Sequence, residues 1–162
     1  MKGPPSSLRW EGCQLAISDR VDILLVEDNR YDEKLTLRVL QRHHVSRQVH
    51  VVRDGAEALE FMFGTGAYEG RDLDLAPKVV LLDIKLPKVD GLEVLRQLRA
   101  DPRTTRQPVV LLTSSAEQRD IDTAYQNHAN SYIVKPVDFE KFTEAVRELG
   151  LYWLVLNQAP TA

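Results

Sequence analysis

Cysteine is nearly absent: Cys13 stands alone in 162 residues, so no internal disulfide can form. It lies in a polar leader containing proline and serine rather than in a ligand-spaced cluster, and a reducing, cytoplasmic setting is expected. Long apolar runs are also missing. Nothing approaches the roughly 20 consecutive apolar residues that cross a bilayer, and the first twenty positions hold no stretch suited to a signal peptide. Neither membrane embedding nor export by that route is expected. There is no excess of positive charge, because 21 Lys and Arg face 24 Asp and Glu for a net charge of −3, which gives no general electrostatic reason to bind nucleic acid. The chain also lacks a GxGxxG or lysine-containing phosphate loop after its first apolar run, which argues against nucleotide binding.

What the chain does have is short apolar runs separated by amphipathic segments, at a length that suits one domain with one core. Val21 to Val26 ends in Glu27-Asp28-Asn29, which can cap a helix over about Tyr31 to Gln41 with Leu35, Val39 and Leu40 facing inward. Val49 to Val52 closes at Asp54-Gly55, and Ala56, Leu59, Met62 and Phe63 then recur at helical spacing. Val79 to Leu82 leads into Asp83, Pro87 stops regular continuation, and Leu92, Leu95 and Leu98 with Val94 mark a third helix. Val109 to Leu112 ends at Thr113, before a helix carrying Ile121, Ala124, Tyr125 and His128. Tyr132 to Val134 precedes Lys135-Pro136 and a last helix with Phe139, Phe142, Val146 and Leu149 inward. Nearly continuous apolar strands alternating with helices predict a parallel sheet covered on both faces. Right-handed crossovers then leave the flavodoxin-like, doubly wound five-stranded order 2-1-3-4-5, with five helices, as the natural α/β fold.

In such a sheet, ligands gather beyond the carboxyl ends of the strands, where the winding reverses between strands one and three. Strand one ends in Glu27 and Asp28, strand three in Asp83, strand four in Thr113 and strand five in Lys135. Three neighbouring carboxylates repel unless a cation compensates, and an all-oxygen site open to water suits Mg2+. Lys135 adds a fixed positive charge and Thr113 a hydroxyl donor, which is what a transferred phosphoryl group requires as charge develops on its oxygens. An aspartate nucleophile can accept such a group as an acyl phosphate. Taken singly, an acidic pair after a strand is usually a helix cap, and a strand-end Asp, Thr or Lys is usually a turn or solvated residue. Features of this kind at the ends of four adjacent strands are harder to explain as caps and turns.

Over roughly Val21 to Leu149 the chain resembles the receiver domains of two-component response regulators. The resemblance is carried by Ile23-Leu24-Leu25-Val26-Glu27-Asp28-Asn29, Leu81-Leu82-Asp83-Ile84-Lys85-Leu86-Pro87 with Asp90-Gly91, Leu111-Leu112-Thr113-Ser114, and Lys135-Pro136. Intervals of 30 residues from Asp83 to Thr113 and 22 from Thr113 to Lys135 agree with it. It implies Asp83 as phosphoacceptor, Asp28 and Asp83 as direct Mg2+ ligands, Glu27 acting through water, and the Lys85 main-chain carbonyl completing the set. Lys135 would bridge to the phosphate ahead of a cis peptide at Pro136. Tyr132 falls at the family's aromatic switch position: phosphate would draw the Thr113 hydroxyl inward and let the ring turn in, reshaping the surface around strands four and five. A haloacid-dehalogenase-like, Mg2+-dependent phosphatase is the alternative, but it requires a second carboxylate two residues after Asp83, where Lys85 stands. Lys85 and Ser115, each two positions beyond a site residue, should flank the path of an attacking water.

Three regions follow: a leader over 1–20, a receiver domain over 21–149 and an apolar tail over 150–162 containing Leu151-Tyr152-Trp153-Leu154-Val155-Leu156. The segment from Gly64 to Pro77 is longer than such a connection requires and reads as a surface loop or a helix extension. Together with the aromatic tail it resembles the single-domain regulators that accompany bacterial phytochrome kinases. A sensor histidine kinase of that type is the expected partner, with homodimerisation through the tail. The 27 residues after Lys135 leave no room for a DNA-reading domain, so output through protein contacts is expected, without self-standing enzymatic turnover beyond the chain's own phosphorylation and dephosphorylation.

Overall fold

The computed structural model describes residues 20–43 and 48–148. Most of the leader, the tail at 150–162 and Leu149 lie outside these residues, as does the Val146 side chain. Five strands, β1 (Ile23–Val26), β2 (Val49–Val52), β3 (Val79–Leu82), β4 (Val109–Thr113) and β5 (Ser131–Val134), alternate with five helices. The helices are α1 (Arg30–Arg42), α2 (Gly55–Phe63), α3 (Gly91–Ala100), α4 (Gln118–Gln126) and α5 (Phe139–Glu148). All strands pair in parallel in the order β2-β1-β3-β4-β5, the expected flavodoxin-like winding. Register aligns the strand ends: Val26 lies beside Val52 and Leu82, Leu82 beside Leu111, and Thr113 beside Val134.

Because successive strand residues point to opposite faces, each apolar run feeds two cores. Ile23, Leu25, Val79, Leu81, Val110 and Leu112 pack with Leu40 of α1 and Phe142 of α5 on one face. Leu24, Val26, Val80, Leu82, Val109 and Leu111 pack with α2, α3 and Ala124 of α4 on the other. All four residues of β1 and of β3 are buried, which is why these runs carry almost no polar side chains.

Helix starts follow capping chemistry. Asn29, Asp54 and Asp90 each accept a hydrogen bond from the backbone N–H three residues on, at 2.9, 2.7 and 3.1 Å. Gly91 allows α3 to begin against the site, since a Cβ there would lie 2.0 Å from the Asp83 carbonyl oxygen.

Several expected facings differ. In α1, Thr36 and Leu40 are buried and Leu37 packs against the core, while Leu35 and Val39 stay half-buried. In α2, Ala58, Phe61 and Met62 are buried, with Leu59 and Phe63 at the margin. In α4 only Ala124 is buried, Tyr125 is exposed, and the helix stops at Gln126. His128 lies beyond that stop with φ of 60°, its carbonyl accepting from Arg99 Nη2 at 2.9 Å.

The Gly64–Pro77 connection is more ordered than a surface loop. It contains a 3-10 turn, Gly66–Tyr68, that buries Tyr68. The Tyr68 hydroxyl donates to Glu57 Oε2 at 2.7 Å and lies 2.9 Å from His50 Nε2. Arg71, also buried, donates from Nε to the Phe61 carbonyl at 2.7 Å, with its guanidinium 4.0 Å from the Phe61 ring centroid. The apolar and cationic surfaces of this insertion therefore cover the end of α2.

Candidate functional site

The aligned strand ends bring Glu27, Asp28, Asp83, Thr113 and Lys135 to one edge of the sheet, between β1 and β3 and their neighbours β4 and β5. One oxygen from each of Glu27, Asp28 and Asp83 lies within 4.8 Å of the others. Glu27 and Asp83 are buried and Asp28 is exposed, so the cluster opens to water on one side only. Lys135 reaches in from the residue after β5. Its Nζ stands 2.6 Å from Glu27 Oε1 and donates to Asp32 Oδ2 at 3.0 Å and Asp83 Oδ2 at 3.2 Å. The Lys135–Pro136 peptide is cis.

Local backbone geometry fixes the remaining oxygens. Asp83 Oδ1 accepts from the Ile84 N–H at 2.8 Å, which leaves Oδ2 toward the ammonium. Glu27 Oε2 accepts from the Asn29 N–H at 3.2 Å, tying the carboxylate to the cap of α1. Glu27 Oε1 is paired with the Lys135 ammonium in a buried ion pair and has no other partner.

Burial pushes the Glu27 carboxyl up to about 7, the Asp83 charge adds to the rise, and Lys135 opposes it. For Lys135, burial works against the charge, but bonds to Glu27 and Asp32 and the charges of Asp83 and Glu27 outweigh it and hold the ammonium well above its usual range. The pocket therefore gathers four carboxylates, three of them at one firmly protonated lysine. An incompletely neutralised, oxygen-only donor set with one open side fits a hard divalent cation, and no sulfur or imidazole ligand competes in it.

Thr113 is fully buried, its Oγ1 accepting from the Ser115 N–H at 3.2 Å. Tyr132 packs its half-buried ring against the core and donates its hydroxyl to the Ser115 carbonyl at 2.9 Å. Thr113 and Tyr132 thus meet at one residue, on opposite sides of Ser115. Lys85 is exposed in the loop after Asp83. The Ser115 hydroxyl is engaged, donating to Asp120 Oδ2 at 2.6 Å.

Sequence reasoning missed Asp32. Its available signal was position, three residues after the Asn29 cap, which turns a first-turn carboxylate back toward the strand ends.

Fold and site together define a doubly wound α/β protein with a lysine-closed acidic pocket at its topological switch point. The sequence pattern of the response regulator receiver domain matches residues 23–147. The chain is 42% identical over 149 residues to the probable methanogenesis regulatory protein FilR2 of Methanothrix harundinacea, covering 92% of this chain and 94% of that protein. Among solved structures, the bacteriophytochrome response regulator RtBRR is 48% identical with a TM-score of 0.75, over 85% of this chain and 82% of that one. The Mn2+-bound form of Rcp1, a Synechocystis response regulator, is 34% identical with a TM-score of 0.67, over 86% and 97%. The chain belongs to the response regulator receiver family of two-component signalling, and is similar to phytochrome response regulators within it. Among the described residues no helix is long and apolar enough to cross a membrane.

Proposed function

We propose that the protein is a phosphoacceptor that takes a phosphoryl group on Asp83 from the phosphohistidine of a sensor kinase and signals through protein contacts. The observation that carries this reading is the meeting of Glu27, Asp28 and Asp83 oxygens within 4.8 Å beside the Lys135 ammonium. In the transfer, an Asp83 carboxylate oxygen bonds to phosphorus, the N–P bond breaks, and the imidazole leaves with the electron pair. Lys135 pairs with the phosphoryl oxygens as their charge grows, and the Thr113 hydroxyl turns from its Ser115 contact to donate to one of them. Release of that contact acts on the same residue that holds the Tyr132 hydroxyl, which couples the site to the β4–β5 surface.

Asp28 and Asp83, with Glu27 through water and the Lys85 main-chain carbonyl, would hold Mg2+, whose charge neutralises the phosphoryl oxygens. Support comes from the oxygen-only donor set and from the Mn2+-bound form of Rcp1. The name of RtBRR supports a bacteriophytochrome as the kinase. Self-association through residues 150–162 belongs to the same reading; light scattering that gives one monomer mass with and without the segment, at high concentration, would remove it.

The test is intact-protein mass spectrometry after incubation with acetyl phosphate and Mg2+. Wild type should gain the mass of one phosphoryl group and Asp83→Asn none, while the amide oxygen of that variant still accepts from the Ile84 N–H and so preserves the fold. Labelling of Asp83→Asn to the same extent would refute Asp83 as acceptor.

A further inference from the structure

Asp32 is the one carboxylate at Lys135 to which the proposed chemistry assigns no role. An ammonium has three N–H donors. Lys135 Nζ has three carboxylates within reach, Glu27 at 2.6 Å, Asp32 at 3.0 Å and Asp83 at 3.2 Å. A phosphoryl group on Asp83 brings further oxygens to this ammonium, so a present partner must be released. Glu27 has a side chain only 1% exposed, and releasing it would strand a buried charge. Asp83 carries the group itself. The Asp32 side chain is 30% exposed at the first turn of α1 and returns to water at the least cost. We propose that Asp32 is a positioning residue that holds Lys135 before phosphorylation and competes with the incoming phosphoryl group for it. This rests on the phosphoacceptor reading above.

The consequence is asymmetric. When acetyl phosphate is the donor, an Asp83 oxygen bonds to phosphorus, the bond from phosphorus to the acetate oxygen breaks, and acetate leaves with the electron pair. That step starts with Lys135 on Asp32 and passes through a transition state with Lys135 on phosphoryl oxygens. In hydrolysis a water oxygen bonds to phosphorus, the bond to Asp83 breaks, and the water proton passes to solvent. Lys135 is on the phosphoryl group at the start of that step and throughout it. Loss of Asp32 therefore lowers the barrier to phosphorylation and leaves that to hydrolysis nearly unchanged.

Asp32→Asn keeps the shape of the side chain and removes its charge. With Mg2+ present, mass-spectrometric time courses should show its phosphorylation rate constant raised about threefold to tenfold, the range expected for a partly exposed charged hydrogen bond. Hydrolysis of the purified phosphorylated form should stay within about twofold of wild type, and Asp32→Glu should return phosphorylation toward the wild-type rate. A change in α1 stability would move the melting temperature without separating the two rates. Simple relief of repulsion would give a gain that follows donor charge and fades with salt. A gain acting through Lys135 is the same for acetyl phosphate and for the less charged phosphoramidate, and persists in added KCl. An unchanged phosphorylation rate, a parallel change in both rates, or a gain confined to one donor overturns the proposal. Absence of label on wild type would instead overturn the reading on which it rests.

Discussion

At the scale of single residues, the site was legible where a polar side chain ends an apolar run. Asp83, Thr113 and Lys135 stand out because β3, β4 and β5 carry so few polar residues ahead of them. Asp32 was not legible, since its place depends on the turn that Asn29 sets at the start of α1, and in sequence it is one of many helical acids. Lys85 lies between these cases: its number relative to Asp83 marks it, and its side chain is exposed in the loop that follows Asp83. A long side chain there should impede the water that attacks the acyl phosphate. Lys85→Ala is expected to hydrolyse its phosphoryl group about two- to fivefold faster, a barrier change under about 1 kcal/mol. The loss of label from purified phosphorylated protein measures this, and an unchanged or slower rate would remove Lys85 as a shield.

At the scale of elements, strands were easier to read than helix faces. A run such as Val79–Leu82 is buried on both sides, so no choice of face arises. In α1 and α2, apolar residues occupy more than one side, and the packing partner decides which side turns in, as with Ala58 and Phe61 in place of Ala56. The glycines and charges of the Gly64–Pro77 insertion suit a surface loop or a helix extension, and composition alone does not show that Tyr68 and Arg71 fold back over α2. This cluster makes stability depend on pH. Burial lowers the pKa of His50 from its ordinary 6.5, the Glu57 charge opposes that, and Arg71 and Arg53 reinforce it. The native state therefore favours neutral His50, so its contribution is fully present above 6.5 and is lost as pH falls toward the depressed native value. Urea unfolding at about pH 7.5 and about pH 5.5 should show a larger acid loss in wild type than in His50→Gln, with carboxylate effects common to both cancelling. Equal losses in the two proteins would show that His50 is not the group responsible.

At the scale of the whole molecule, the order of the sheet was legible because few windings satisfy five parallel strands and right-handed crossovers. Once the winding is set, strand register alone carries acids from two separate runs to one corner, 55 residues apart from Asp28 to Asp83. Such a corner has a thermodynamic consequence for the entire fold. The buried Glu27 and Asp83 carboxylates and the exposed Asp28 converge only in the native chain, where their mutual repulsion is one of the terms that opposes folding. A divalent cation binds that convergence and not the unfolded chain, in which the same carboxylates are dispersed. It should therefore stabilise the fold by mass action, by about 2.7 kcal/mol at a hundredfold excess over its dissociation constant. For a chain of this size that corresponds to a rise of roughly 5–10 °C in melting temperature. The rise should be lost in Asp28→Asn, which removes one ligand charge from the open side while leaving the buried pair and Lys135 in place. NaCl at matched ionic strength separates specific binding from screening, since screening relieves repulsion in wild type and variant alike. A melting temperature that responds to Mg2+ no more than to NaCl, or responds equally in Asp28→Asn, would mean that the corner holds its charges without a metal.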